Sequence, residues 1–457
     1  MIVLAYLFAF LPLLLNASLF LQFKPPYNFF LLWLPQLVAH ALSPFLVVVG
    51  AVGAVLGWLY QAPIALVAGV LGAGISAFYI WRVTIPQPGF ELAFGQDWQS
   101  KIPAAWAAQM LAKRWQIGLP RTAEPQCERG LPFWAIPGSG RKLLCDIWQP
   151  PEGVARSGLA FIFLHGGAWY LLDKDTGTRP FFRQLVAQGH VVMDVAYRLC
   201  PEVDIYDMVG DVKRAVAWMK TSADRYGVDP ARIVLAGGSA GGHLALLAAY
   251  APHHPQFTPA DVQGRDLSVR AVVSCYGPTD LRAVYLHTDQ TRVIGVPKPE
   301  IGLPGSAEME KKMQDAGRLD LLLGGHLHEI PEVYDLASPV THVHRGCPPT
   351  LLIAGELDVI TPFAAFGVLH QRLLDCGVPA VNIVYPLTQH AFDLLLPQIS
   401  PPAQAALYEV ERFLALIAAE EYGEHGRTAW QTEIDSHSDK AATAAQPVSP
   451  ALVGHGR

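Results

Sequence analysis

Ile233-Val234-Leu235-Ala236-Gly237-Gly238-Ser239-Ala240-Gly241-Gly242 is the stretch on which the fold turns. Its first four residues are apolar, as in a strand buried on both faces of a sheet. Glycines then close the run, and helical periodicity begins at once, from His243 to Ala249. A serine between those two halves sits on a sharp strand-to-helix turn, the context of a nucleophile elbow. Side chains at the flanking positions would clash with neighbouring backbone, so the turn needs glycines. The helix start beyond it aims amides and a partial positive charge at a developing oxyanion.

Outward from this turn, short apolar runs alternate with amphipathic stretches. Leu131 to Ile136 and Lys142 to Trp148 read as an opening antiparallel pair. Leu159 to Leu164, His190 to Ala196, Ala271 to Cys275, Leu351 to Ala354 and Val381 to Tyr385 read as further strands, eight with Ile233 to Ala236. Met208 to Lys220, Phe363 to Leu374 and Ala403 to Ala418 carry helical periodicity. The pattern predicts an α/β fold over residues 131–418: a mainly parallel eight-stranded sheet with helices on both faces. Leu281 to Cys347 is far longer than the ~12–15 residues usual for a structureless loop, which predicts an inserted lid at about 281–347. Residues 82–130 read as a linker with a helix from Ile102 to Gln116, and the polar, aperiodic 419–457 as a disordered tail.

A second glycine-rich turn, His165-Gly166-Gly167-Ala168-Trp169, follows the strand Leu159 to Leu164. Adjacent glycines let a chain turn its amides toward a substrate carbonyl, and one such donor is worth ~3–4 kcal/mol in the transition state. His165 reads as a scaffold for that loop rather than as a proton carrier. A nucleophilic serine needs a base, and the base needs an orienting carboxylate. Asp358 and His390 both follow later strands, in the order Ser, Asp, His. Glu356, Asp393 and Asp280 are rival acids, and His243, beside the elbow, is a rival base that reads better as packing.

These segments, with Asp194-Val195-Ala196-Tyr197-Arg198-Leu199-Cys200-Pro201-Glu202 and Gly227-Val228-Asp229-Pro230-Ala231-Arg232-Ile233, resemble the hormone-sensitive-lipase-like carboxylesterases of the α/β-hydrolase superfamily. The resemblance covers about Leu131 to Ala418 and implies a Ser239, His390, Asp358 triad. It also implies an oxyanion hole in the Gly166-Gly167-Ala168 loop, with donors from Gly167, Ala168 and the Ala240 amide. The family commonly shows three glycines after the loop histidine; here Ala168 stands third, which keeps the amide and alters the pocket. The loop and Gly241-Gly242-His243-Leu244 are similar also to the kynurenine formamidase and isoprenylcysteine methylesterase branches. The latter joins such a domain to N-terminal membrane helices and acts on a lipidated substrate.

The N-terminal segment is of a different character. Residues 1–81 hold one of the chain's 33 Lys and Arg, Lys24, and none of its 39 Asp and Glu. Ile2 to Phe23, Asn28 to Tyr60 and Pro63 to Trp81 are each long enough to cross a bilayer, giving about three spans. Pro35, His40 and Pro44 leave open a re-entrant piece and a fourth pass, and a cleaved signal peptide over residues 1–22 is the competing reading. Gly50, Gly53 and Gly57, with Gly69, Gly72 and Gly74, predict two closely packed helices. Asn16-Ala17-Ser18 matches a glycosylation sequon, but inside an apolar span. Lys24 and Arg82 on one side, followed by Lys101, Lys113 and Arg114, put the large domain in the cytoplasm.

Net charge of −6 without a basic stripe argues against nucleic acid. The six scattered cysteines include no CxxC pair, and His326, His328, His342 and His344 match no zinc spacing and read as solvated. The expectation is a membrane-anchored serine esterase of lipophilic substrates, with a small-molecule or lipid ester and membrane lipids as partners and with no cofactor or metal. Amide hydrolysis by the same residues and a silent binding protein on the hydrolase fold are the alternatives. A transporter is disfavoured, because His40 is the one ionisable residue inside a span.

Overall fold

The computed structural model describes residues 1–21, 29–290 and 318–419. Eight strands form a single sheet: β1 (Gln126–Ala135), β2 (Lys142–Gln149), β3 (Ala160–Leu164), β4 (Val191–Val195), β5 (Ile233–Gly238), β6 (Ala271–Cys275), β7 (Thr350–Gly355) and β8 (Ala380–Tyr385). Their order is β1-β2-β4-β3-β5-β6-β7-β8. β1–β2 and β2–β4 pair antiparallel, and every later pairing is parallel. The chain reverses its direction of winding at β3, so the loops leaving β3 and β5 open a crevice at their carboxyl ends, where such sheets bind ligands.

Among the described residues, ten of the helices are labelled α1 (Ile2–Ala17), α2 (Phe29–Leu59), α3 (Pro63–Thr84), α4 (Gly89–Phe94), α5 (Arg179–Ala187), α6 (Ile205–Thr221), α7 (Ala240–Tyr250), α8 (Leu281–Gln290), α9 (Phe363–Asp375) and α10 (Pro401–Ala418). Strand side chains alternate faces. Ile162, Met193, Leu235 and Leu352 face α6, α7 and α9 through Val209, Leu244 and Leu369. Phe161, Val192, Val234 and Ile353 face α5 and α10 through Phe182, Leu185, Leu407 and Val410. All are buried, and each such side chain contributes about 1.5–3 kcal/mol on leaving water.

The helical stretches Ile2–Phe20, Leu32–Leu59 and Pro63–Phe94, which contain α1, most of α2 and α3, are long and apolar enough to cross a membrane. α2 runs unbroken through Pro35 and Pro44, so the re-entrant alternative is not what the chain adopts. Pro44 has no N–H for the His40 carbonyl, and the Ser43 hydroxyl donates to that oxygen instead at 3.0 Å. A Cβ on Gly50 would lie 2.8 Å from the Ala73 nitrogen, and one on Gly69 2.5 Å from the Ala54 nitrogen, so the absence of side chains sets the α2–α3 approach. Gly53 and Gly72 instead face α1, and Gly74 faces open space. Asn16 is fully buried and donates to the Gly72 carbonyl at 2.9 Å and to Ser76 Oγ at 2.7 Å.

Three expectations change. Of Ile102 to Gln116, only Ala104–Ala107 is helical. Beyond it two backbone donors go to α10, Leu111 N to Glu411 Oε2 (2.8 Å) and Gln116 N to Gln404 Oε1 (3.0 Å), beside the side-chain bonds of Arg114 Nε to Glu409 Oε1 (2.6 Å) and Trp115 Nε1 to the Ile399 carbonyl (3.1 Å). Long-range partners thus replace the local ladder. His342 and His344 bond to the Leu336 and Tyr250 carbonyls and His326 Nδ1 pairs with Asp320 Oδ2 at 2.8 Å, so of the four only the exposed His328 fits a solvated reading. α5, a two-phenylalanine helix with a proline in its first turn, was not among the expected elements. Of the lid expected at 281–347, residues 291–317 lie outside the described residues, and the flanking parts form short helices packed on the core through Leu322 and Tyr334. Lys24 and the 420–457 part of the expected tail also lie outside the described residues.

Candidate active site

Ser239 stands between β5 and α7 with φ 53° and ψ −123°, a backbone region costly for any L-residue. Its amide donates to the Cys275 carbonyl at 2.9 Å, which ties the turn to β6. The glycine two residues on is obligatory: a Cβ on Gly241 would sit 2.0 Å from the Leu164 carbonyl oxygen and 2.5 Å from that of His165. Elbow and β3 loop are therefore pressed together by the lack of a side chain. Gly166 completes this contact, its virtual Cβ lying 3.3 Å from the Ser239 Cβ.

Two distant loops meet at the serine. His390 Nε2 is 3.0 Å from Ser239 Oγ, and His390 Nδ1 is 2.7 Å from Asp358 Oδ2. A carboxylate accepts only, so Nδ1 carries the proton and Nε2 is left as the acceptor for the serine hydroxyl. Asp358 and His390 are buried. Asp358 Oδ1 accepts the Ile360 and Thr361 amides at 2.9 and 2.8 Å, and Oδ2 accepts the Thr361 hydroxyl at 2.6 Å. The carboxylate is thus held by its own turn and by a hydroxyl that reading the sequence did not single out. The Thr-Pro after the acid, where the chain leaves the sheet, was the available signal.

The rivals are engaged elsewhere. Glu356 accepts the Leu387 amide, and Asp280 accepts the Arg282 and Ala283 amides at the start of α8. Asp393 accepts the Tyr276 hydroxyl, and burial holds its carboxyl above the usual range. Tyr276 packs its ring edge-on to His390 at 4.7 Å between centroids and so walls the imidazole. His243 Nδ1 accepts from Trp169 Nε1 at 3.2 Å while Nε2 donates to the Ala337 carbonyl at 2.8 Å, and burial lowers its pKa to about 4. It is a neutral strut between the β3 loop and the inserted segment. His165 donates from Nδ1 to the Gly166 carbonyl at 2.7 Å and stacks on Tyr197 at 4.4 Å, and burial lowers its pKa as well.

The β3 loop turns on left-handed residues, Gly167 at φ 116° and Ala168 at φ 52°. A Cβ on Gly167 would fall 2.0 Å from the Leu171 carbonyl oxygen. Among the described residues the amides of Gly167, Ala168 and Ala240 have no hydrogen-bond acceptor. Ala240 opens α7, where first-turn amides have no partner within the helix. Chemically, the array offers a hydroxyl with a base, a base with a carboxylate, and unpaired donors at the same end of the sheet.

A model of the BD-FAE family matches residues 145–373, which include Ser239 and Asp358. Two curated relatives come from Mycobacterium tuberculosis. The "Probable carboxylic ester hydrolase LipM" is 34% identical over 285 residues, 62% of this chain and 60% of its own length. The "Esterase LipQ" is 28% identical over 361 residues, 75% of this chain and 80% of its own length. The chain therefore spans less than two thirds of LipM and most of LipQ. Among solved structures, Esterase B from Lactobacillus rhamnosis shares the fold with a TM-score of 0.51 at 20% identity, over 66% of this chain and 90% of that one. With a mainly parallel sheet covered on both faces and a serine turn after its fifth strand, this chain belongs to the BD-FAE family and has the α/β-hydrolase fold of the carboxylesterases.

Proposed function

We propose that the chain is a membrane-anchored serine hydrolase that cleaves carboxylic esters of lipophilic substrates through an acyl-enzyme. The observation that carries this reading is the imidazole of His390 bridging Ser239 Oγ and Asp358 Oδ2 at 3.0 and 2.7 Å. His390 Nε2 takes the serine proton as Oγ attacks the ester carbonyl, and Asp358 holds the ring's tautomer and stabilises the imidazolium. The amides of Gly167, Ala168 and Ala240, against the Gly166 backbone, receive the oxyanion. The imidazolium then gives its proton to the departing alcohol. Water, deprotonated by the same nitrogen, releases the acid. Relatives named as esterases support ester rather than amide bonds.

Two features support an apolar substrate. A cavity lined by Phe163, Phe181, Leu394, Leu407 and Val410 reaches Gly238, the residue before the serine, and suits an acyl chain. Leu172, Phe363, Leu394 and Leu396, on segments leaving the same ends of β3, β7 and β8, are between 42 and 49% exposed. Such apolar residues at the rim of a site favour entry from a lipid phase. The sidedness that fits Arg82, Lys101, Lys113 and Arg114 is cytoplasmic.

The test is labelling of membranes containing the full chain with a fluorophosphonate, followed by a panel of matched esters and amides. Labelling should vanish in Ser239→Ala, and turnover should favour long-chain esters. Equal labelling of the variant would remove Ser239 as the nucleophile. Turnover of the amides alone would replace the ester reading. Protease accessibility in sealed vesicles reads the side of the membrane.

A further inference from the structure

Four consecutive residues of the segment that carries His390 are held by the N-terminal helices. His40 Nε2 donates to the Leu387 carbonyl at 2.9 Å. The Tyr79 hydroxyl lies 3.0 Å from Thr388 Oγ1; the threonine proton goes to the Pro386 carbonyl at 2.9 Å, so tyrosine is the donor. Gln389 Nε2 donates to Gln36 Oε1 at 2.9 Å, and Trp33 Nε1 donates to the His390 carbonyl at 3.2 Å. Trp33, Gln36 and His40 recur at i, i+3 and i+7, so they lie on one face of α2. Gln36 is tied in turn to the end of the first helical segment, donating to the Ser18 carbonyl at 2.7 Å.

This polar row is expensive in an apolar helix unless each group is paired, and Gln36 and His40 are buried. Gln36 Oε1 and His40 Nε2 are paired on the histidine segment and Gln36 Nε2 on Ser18, while among the described residues His40 Nδ1 has no partner. That segment also has left-handed non-glycine residues on both sides of the imidazole, Leu387 at φ 53° and Ala391 at φ 59°. Such a conformation persists only where surroundings over-determine it. The hydrolase body holds the start of the segment, through Leu387 N to Glu356 Oε2 at 3.0 Å and Leu357 N to the Thr388 carbonyl at 2.9 Å. The Gln389 side chain and the His390 carbonyl are gripped by α2.

We propose that Trp33, Gln36 and His40 of α2, with Tyr79 of α3, are positioning residues for hydrolysis. They set where the His390 imidazole stands relative to Ser239, so these four side chains, and not the bundle's internal packing, take part in catalysis. This rests on the Ser239, His390, Asp358 reading above. A small displacement of a base from its nucleophile costs rate steeply, whereas binding of a small substrate does not pass through the histidine carbonyl.

The experiment uses the full chain in detergent micelles with a short soluble ester. Trp33→Phe removes one N–H and little volume. His40→Leu removes the donor to Leu387, and His40→Gln keeps a donor. Asn16→Ala breaks bonds inside the same bundle, to Gly72 and Ser76, without touching the histidine segment. Trp33→Phe and His40→Leu should lower kcat about tenfold or more with KM within about twofold, and slow fluorophosphonate labelling by the same factor. His40→Gln should recover most of the loss, and Asn16→Ala should leave kcat near wild type. Unchanged kcat in both Trp33→Phe and His40→Leu overturns the inference while wild-type labelling keeps the hydrolase reading. An equal fall of kcat in Asn16→Ala also overturns it, reducing the contacts to general bundle stability. Persistent labelling of Ser239→Ala overturns the hydrolase reading and this inference with it.

Discussion

Asp358 is anchored through three donors besides the imidazole, and asparagine can keep the two backbone amides on Oδ1 but can accept neither the imidazole N–H nor the Thr361 hydroxyl at the Oδ2 position. In Asp358→Asn the amide oxygen can still accept the Ile360 and Thr361 N–H groups. Its NH2 then faces His390 Nδ1 and selects the tautomer with the proton on Nε2, where the base lone pair is needed. The expected result is a fall in kcat of roughly 10⁴-fold, with secondary structure and thermal midpoint close to wild type. A loss under tenfold would mean that Asp393, on the far side of Tyr276, orients the ring instead. Thr361 acts at the same scale, since its hydroxyl reaches Asp358 Oδ2 at 2.6 Å and also neighbours the Tyr276 carbonyl at 3.2 Å.

At the scale of elements, α10 covers one face of the sheet and also receives the linker. Its Glu411 is fully buried, with Oε2 accepting the Leu111 amide at 2.8 Å and Oε1 accepting Gln188 Nε2 at 2.6 Å. Burial outweighs these donors and the nearby Arg412 and pushes the carboxyl up to about 7. The folded chain therefore keeps a proton that the unfolded chain has released between the ordinary carboxylate range and about pH 7. Stability falls as pH rises across that window and is fully reduced above it. Glu411→Gln cannot ionise, and a flipped Gln188 can still pair with it. The variant should be more stable than wild type at pH 8, on the order of 2 kcal/mol, with the difference closing by about pH 4. Thermal unfolding across pH 4–9 measures it; a pH-independent difference would mean the carboxylate is ionised when folded.

For the whole molecule, the bundle and the sheet share a core: Leu19, Ala39, Tyr79 and Val83 pack in the same cluster as Val381, Ile383 and Phe413. Beyond that contact the helices carry exposed apolar residues, among them Phe45, Val48, Val55, Val67 and Phe78, a surface that supports the proposed membrane anchor. A membrane-anchored hydrolase, as proposed, should respond to substrate per unit of membrane. At constant bulk concentration of a long-chain ester, tripling the phospholipid of reconstituted vesicles should cut the rate about threefold, because the local concentration falls in proportion. A soluble short ester should show no such dependence. Equal behaviour of the two esters would count against substrate arriving through the bilayer.

The fold was legible because the strands buried on both faces, β3 to β8, read as short apolar runs behind an opening antiparallel pair, and the glycine signature of the elbow was legible with them. Both are local: a Cβ at Gly237 would lie 2.4 Å from the Gly241 carbonyl carbon, four residues on in the same turn. Trp33, Gln36, His40 and Tyr79 show the opposite case. Nothing in the sequence connects them to residues 387–390, hundreds of positions later, and His40 read as no more than an isolated polar residue in a span. The lost helix between Ile102 and Gln116 has the same origin, since its backbone donors were claimed by Glu411 and Gln404 across the fold. Local sterics and periodicity determined the sheet, the serine turn and the apolar bundle from the sequence itself. Which distant groups satisfy each buried donor is a property of the packed chain, and there the tertiary structure alone decided what holds the histidine beside the serine.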